Sequence, residues 1–124
     1  LVGIRRDPQY GIHLTVASGG IMTELWRDSK SLILPVDGPV IRDALAALKL
    51  APVLYGFRGR PAADIESAID QILALCNLIN SDHSIAAIEV NPLMITSNKA
   101  VAADALIWRY DKPHQSEQTT GATS

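Results

Sequence analysis

The feature that most constrains the fold is a helical stripe set between two segments with the alternation of β-strands. The apolar side chains of this stripe recur on one helix face, at Ile65, Ile69, Ile72, Leu73, Cys76 and Ile79. Earlier in the chain, Ile12, Leu14 and Val16 alternate with other residues at the period of a half-buried strand. The pattern therefore predicts both helix and sheet in one fold.

The other segments complete this arrangement. Asp37 is suited to cap a helix over residues 39–49, where apolar positions again recur at helical spacing. Further strands are predicted over residues 2–5, 21–26, 32–34, 85–96 and 100–108, with turns over residues 7–11 and 28–31. Strands, two helices and strands again predict an α+β fold, a mostly antiparallel sheet with two helices on one face.

Composition predicts one globular domain. The 124 residues are 48% apolar and 19% charged, an ordinary mixture for a folded protein. We assign residues 1–111 to this domain and expect residues 112–124, rich in polar residues and glycine, to form a disordered tail. The chain begins at Leu1 in what reads as a strand interior, without a methionine, which indicates a fragment of a longer protein.

Charge and cysteine content limit the partners and the location. A formal charge of -2, from 13 acidic and 11 basic residues, argues against nucleic-acid binding and against a polybasic membrane contact. No apolar stretch reaches the roughly 18 to 20 residues that span a bilayer, and no secretion signal is visible. Cys76 is the single cysteine, so the chain cannot form an internal disulfide. These features predict a cytoplasmic protein.

Three oxygen-bearing side chains are candidate ligands of Mg²⁺. Glu89 and Asn91 are separated by one residue, so on an extended strand they project from the same face. Asp104 lies in the apolar run 101–107, where a carboxylate is usually paired, hydrogen-bonded or bound to a metal. Mg²⁺ often takes one or two protein carboxylates, with substrate phosphates completing its shell. For Glu89 and Asn91 the alternative is the solvent side of an edge strand.

Two loops offer contacts to phosphate. Gly19 and Gly20 would let the backbone approach a phosphate group, although a tight hairpin is the alternative. Glu24, just beyond, is either a solvent-facing strand residue or a further acid near the site. Arg58 and Arg60 suit recognition of phosphate or carboxylate through forked hydrogen bonds, or they only cap a surface loop.

The remaining reactive side chains are expected to be structural. His13 lies on an alternating strand, as partly exposed structural histidines commonly do, and Cys76 belongs to the apolar helix stripe. The chain contains no Ser-His-Asp arrangement, no Gly-Lys-Ser phosphate loop and no Gly-x-Gly-x-x-Gly motif. These absences leave the oxygen-rich motifs as the candidates for a functional site.

Five motifs, taken in order, resemble one known family. They are residues 2–11 (VGIRRDPQYG), 19–24 (GGIMTE), 56–61 (GFRGRP), 89–93 (EVNPL) and 103–105 (ADA). In this order the motifs resemble the C-terminal part of the ATP-grasp domain in NDP-forming acyl-CoA synthetases. That family includes ADP-forming acetyl-CoA synthetase and is related to succinyl-CoA synthetase. The resemblance extends to about residue 107.

The resemblance implies the fold, the reaction and the ligands. The fold would be the C-terminal lobe of an ATP-grasp domain, whose sheet closes over a nucleotide. The reaction would exchange acyl-CoA, ADP and phosphate for a free acid, CoA and ATP. The family's metal positions fall on Asn91 and Asp104, with Glu89 adjacent, and they would hold Mg²⁺ against the phosphates of ATP or ADP. Gly19, Gly20 and Glu24 match a loop and strand near that site.

Departures from the family pattern keep a second interpretation open. Relatives commonly carry Arg or Lys where this chain has Leu106, and their glycine loop differs from residues 17–20 here. A non-catalytic docking or regulatory module, for example in a protein acetyltransferase fusion, is therefore the alternative to a synthetase. In either case the partners implied are the N-terminal ATP-grasp lobe and a CoA-binding domain, and the separate chain would be inactive. An apolar surface left by that separation would favour homo-oligomers.

Overall fold

The computed structural model describes residues 1–19, 28–56, 59 and 61–111 of the chain. The described residues form seven strands and three helices. In chain order they are β1 (Val2–Asp7), β2 (Gly11–Ala17), β3 (Ser29–Ile33), α1 (Gly38–Ala46), α2 (Ala51–Leu54), α3 (Ile65–Ser81), β4 (Ile85–Val90), β5 (Leu93–Ile95), β6 (Ala100–Ala102) and β7 (Ala105–Arg109). No helix in this part of the chain is long and apolar enough to cross a membrane.

Five of the strands form one antiparallel sheet in the order β3-β2-β1-β4-β7. Strands β5 and β6 form a separate two-stranded antiparallel hairpin. The α+β fold with a mostly antiparallel sheet is thereby confirmed. Its topology places β1 at the centre, paired with β2 on one side and β4 on the other.

The core lies between one face of the sheet and the helices. Ile4 and Leu14 from the sheet pack into the same cluster as Ile41 of α1 and Ile72 and Ile79 of α3. Each of these five side chains is at most 1% exposed. The stripe predicted for α3 is buried apart from Leu73, which packs partly buried against the cluster. Burial of these side chains is the main favourable contribution to folding.

A bulge in β4 decides which side chains reach the opposite sheet face. The register with β7 shifts between Ile85 and Ala87. In an uninterrupted strand, Ile85 would point to the opposite face from Ile88 and Val90. The extra residue reverses the alternation, so all three side chains are buried on the helix side. Glu89 consequently projects from the sheet face that the described helices do not cover, which we call the open face.

The predicted turn at residues 7–11 is confirmed. The side chain of Asp7 accepts hydrogen bonds from the backbone N–H groups of Gln9 (2.7 Å) and Tyr10 (2.9 Å). Gly11 has φ of 92°, a conformation that glycine adopts without strain. The bonds from Tyr10 and Gln9 lower the pKa of Asp7 below its usual value. The cap at Asp37 is confirmed too, because its carboxylate accepts from Val40 N–H at 3.0 Å.

Several predicted boundaries are wrong. Residues 29–31 belong to β3, which pairs with β2, rather than to a turn. The strand predicted over residues 100–108 is two strands, β6 and β7, and helix α1 ends at Ala46, three residues early. The short α2 was not predicted. The predicted strand over residues 21–26 and the predicted tail over residues 112–124 lie outside the described residues.

Candidate functional site

Two of the candidate metal ligands meet at the end of β4. Asn91 follows the last residue of β4, and its backbone N–H donates to the carbonyl oxygen of Asp104 at 3.0 Å. A second bond, from Ala103 N–H to the Pro92 carbonyl at 3.0 Å, closes the base of the β5–β6 hairpin. The hairpin therefore brings Asn91 and Asp104 side by side although the residues between them form two strands.

Glu89 lies two residues before Asn91, half-buried on the open face and opposite Gly3 of β1. Asn91 and Asp104 are exposed. Asp104 is exposed together with the rest of the apolar run 101–107, which includes parts of β6 and β7. None of the three side chains hydrogen-bonds or forms an ion pair with another described residue.

Gly19 lies against Asn91. A Cβ atom placed on Gly19 would lie 3.4 Å from Asn91 Oδ1 and 3.7 Å from Pro92 Cβ. These are ordinary van der Waals distances, so Gly19 and the Asn91 amide oxygen are direct neighbours. The structure thus brings together Gly19, Asn91 and Asp104. The other predicted nucleotide contacts, Gly20, Glu24, Arg58 and Arg60, lie outside the described residues.

A buried carboxylate, which the sequence did not reveal, fixes the backbone before Gly19. Asp28 is 3% exposed and accepts hydrogen bonds from the hydroxyl of Ser18 and from the backbone N–H groups of Lys49 and Leu50. Burial alone would raise the pKa of Asp28, but these hydrogen bonds together lower it below its usual value. Asp28 therefore remains charged, and it ties the end of β2 to the helices.

The open face carries a groove of about 390 Å³ beside Glu89. Its lining includes Gly3, Arg5, His13, Thr15 and Trp108. The Nε2 atom of His13 is buried and has no hydrogen-bond partner among the described residues. The structural role predicted for His13 does not explain why this buried nitrogen has no hydrogen-bond partner among the described residues.

The donor set fits Mg²⁺ better than a softer metal. Glu89, Asn91 and Asp104 offer only oxygen atoms, which Mg²⁺ prefers over nitrogen and sulfur. Within residues 1–19, 28–56, 59 and 61–111 no three His, Cys, Asp or Glu side chains cluster as a closed metal site would require. Two carboxylates and an amide would leave several coordination positions to water or phosphate, as is usual for Mg²⁺ in phosphoryl-transfer sites.

Proteins of known function resemble this chain over most of its length. A trans-feruloyl-CoA synthase from an unknown prokaryotic organism is 34% identical over 109 residues, which are 86% of this chain and 15% of the relative. The beta subunit of ADP-forming acetate–CoA ligase II from Pyrococcus furiosus is 31% identical over 110 residues, 86% of this chain and 47% of the subunit. The chain thus spans less than half the length of these relatives.

A solved structure shows the same fold. The dinucleotide-forming acetyl-coenzyme A synthetase 1 of Ca. Korarchaeum cryptofilum, in complex with coenzyme A and Mg-AMPPCP, superposes with a TM-score of 0.82 at 28% identity. The match covers 88% of this chain and 51% of that chain. The sequence pattern of the ATP-grasp domain matches residues 1–108, and the chain therefore belongs to the ATP-grasp domain family.

Proposed function

We propose that the chain is the C-terminal ATP-grasp lobe of an NDP-forming acyl-CoA synthetase, an acid–thiol ligase. The observation that carries this proposal is the meeting of Gly19, Asn91 and Asp104 at the end of β4, with Glu89 beside them on the open face. The likeness to a synthetase that was solved with Mg-AMPPCP supports it. The reaction would convert acyl-CoA, ADP and phosphate into a free acid, CoA and ATP.

The chain's own residues would bind and orient the nucleotide. Asn91 and Asp104 would hold Mg²⁺ with Glu89, and the metal supplies neutralisation of charge on the phosphates during phosphoryl transfer. Gly19 and Gly20 would let the backbone approach the nucleotide. Glu24, Arg58 and Arg60 remain proposed contacts to the nucleotide or its phosphates.

Other parts of the complete protein would supply the rest of the site. Because the chain spans about half or less of its relatives, we propose that the N-terminal ATP-grasp lobe and a CoA-binding domain come from outside it. The 124-residue chain alone should then be inactive, in a protein that we place in the cytoplasm. Acyl-CoA-dependent formation of ATP by the separate chain would contradict this division of the site.

Replacement of two proposed metal ligands in the complete protein tests the assignment. Asn91→Ala combined with Asp104→Ala should lower the rate of ATP formation by about 1,000-fold, because a catalytic metal stabilises the transition state by several kcal/mol. Binding of Mg·AMPPCP, measured by calorimetry, should weaken in parallel. Asp43→Ala, on the exposed surface of α1, is the matched control and should change neither quantity.

One observation favours the alternative of a non-catalytic docking or regulatory module, such as a part of a protein acetyltransferase fusion. Leu106 lies directly opposite Glu89 on β7 and brings no positive charge to the proposed phosphate site. Unchanged turnover and unchanged Mg·AMPPCP binding in the Asn91→Ala, Asp104→Ala variant would support the module and reject the synthetase site.

A further inference from the structure

The strand registers define two rows of side chains across the open face. The row nearest the proposed metal site runs through Ser31, Thr15, Gly3, Glu89 and Leu106. The next row runs through Ile33, His13, Arg5, Ala87 and Trp108. Glycine and alanine at the middle of the face leave room for a ligand between the larger side chains, which is the groove beside Glu89.

Two adjacent arginines of β1 have opposite roles. Arg6 is half-buried on the helix side and donates to the carbonyl oxygens of Ile79 (2.5 Å) and Ile85 (3.2 Å), so it joins the end of α3 to β4. Arg5 is exposed in the groove and makes no hydrogen bond or ion pair with any other described residue. Among the described strands, Arg5 is the one Arg or Lys that the register places on the open face.

The acids nearest Arg5 leave its charge uncompensated. Asp7, two residues along β1, uses its carboxylate on the N–H groups of the following turn and does not form an ion pair with Arg5. Glu89 is diagonal to Arg5 across the β1–β4 pair, close enough for long side chains to meet, but no ion pair joins the two. The carboxylate of Glu89, which interacts electrostatically with the Leu1 ammonium but forms no ion pair, and the unpaired guanidinium of Arg5 therefore border the same groove.

We propose that Arg5 binds the terminal phosphate oxygens of the nucleotide whose Mg²⁺ is held beside Glu89, an inference that rests on the proposed function. A metal–polyphosphate ligand carries a cation that would bind Glu89 and anionic oxygens that would bind Arg5. Guanidinium groups bind phosphate through paired, charge-assisted hydrogen bonds. Arg5 thereby supplies the positive charge that Leu106 does not.

His13 extends the same subsite. It lies directly opposite Arg5 on β2 and lines the same groove, and its buried Nε2 has no hydrogen-bond partner among the described residues. A ring rotation that exposed this nitrogen would let it hydrogen-bond a phosphate oxygen held by Arg5.

Equilibrium binding to the complete protein tests the proposal. Arg5→Gln should raise the Kd of Mg·AMPPCP by about 10- to 100-fold, the range expected for losing a hydrogen bond to a charged group. The Kd of AMP, which lacks the outer phosphates, should change by less than about threefold. Lys30→Gln removes the same charge from β3 on the helix side of the sheet and should leave both constants unchanged.

A second substitution keeps the test independent of folding defects. Arg5→Lys keeps a cation at this position of β1 and should recover at least about tenfold of the affinity that Arg5→Gln loses. No recovery, or an equal loss of AMP and AMPPCP binding, would overturn the assignment of Arg5. If Asn91→Ala also leaves Mg·AMPPCP binding unchanged, the proposed function itself fails. If Asn91→Ala abolishes binding while Arg5→Gln matches Lys30→Gln, only the subsite is rejected.

Discussion

Asp28 illustrates how a single buried charge is stabilised and what it positions. Its carboxylate is buried, and an unpaired charge there would be strongly unfavourable. Three donors, Ser18 Oγ and the N–H groups of Lys49 and Leu50, compensate for the lost hydration. Because Ser18 precedes Gly19, the same bonds hold the end of β2 against Asn91.

Asp28→Asn should lower the free energy of unfolding at pH 7 by about 2 kcal/mol. The amide carries no charge, and its NH₂ group would face the hydroxyl and N–H groups that now donate to the carboxylate. The pKa of Asp28 is lowered in the folded state, so its contribution is complete above the unfolded value of about 3.9 and is lost as pH falls through the folded pKa. The difference between variant and wild type should therefore shrink below about pH 4. Urea unfolding at pH 7 and pH 3 measures this difference in the free energy of unfolding. The substitution Asp43→Asn, at an exposed position, is the control. Equal destabilisation at both values would contradict a charged Asp28.

At the scale of elements, the β5–β6 hairpin holds the two proposed metal ligands together. It is anchored to α3 at two points: the Gln71 amide donates to the Ala100 carbonyl, and the Asp64 N–H donates to the Thr96 carbonyl at 2.7 Å. Asp64 also caps α3 through Ser67 N–H at 3.1 Å, so the helix start and the hairpin tip are fixed at the same place. The position of the hairpin, which has Asn91 and Asp104 at its base, thus depends on its hydrogen bonds to α3.

Gln71→Ala should loosen the hairpin without unfolding the domain. We expect a loss of about 1 kcal/mol in global stability and faster hydrogen exchange of the β5–β6 amides than of the β1–β2 amides. Asn77→Ala, on the exposed side of α3, is the control. If exchange accelerates equally in both hairpins, Gln71 stabilises the whole domain rather than this element.

At the scale of the whole molecule, the sheet ends in an exposed apolar edge. In β7 and just after it, Leu106, Ile107, Trp108 and Tyr110 are 52%, 49%, 47% and 51% exposed. β7 pairs only with β4 among the described strands, so its other edge offers unpaired backbone groups. We expect other parts of the proposed synthetase to cover this surface, since the chain spans about half or less of its relatives.

The separate 124-residue chain should therefore self-associate through β7. Ile107→Lys should shift the population toward monomer, because a charged side chain on an edge strand opposes strand pairing. Sedimentation velocity over a range of concentrations measures the shift. Val53→Lys changes a similarly exposed apolar residue on α2 and should leave association unchanged. Equal effects of both substitutions would indicate general hydrophobic association.

Local patterns were sufficient for much of the fold. The sequence correctly predicted the strand at residues 12–16, the α3 stripe, the turn at Asp7 and the helix cap at Asp37. Each of these features depends on residues that are close together in the chain. The predicted turn at residues 28–31 failed because Asp28 and the serines after it are typical of turns, whereas pairing with β2 and burial of Asp28 outweigh that local preference.

By itself the sequence determined the fold class, the buried faces of its main elements and the oxygen-donor chemistry of Glu89, Asn91 and Asp104. Only the tertiary structure decided what those residues lie beside. The contact of Gly19 with Asn91, the bulge that orients Glu89 and the position of Arg5 opposite His13 depend on strand order and register. These relations join residues distant in the chain, and hydrogen bonding across the sheet fixes them rather than any local periodicity.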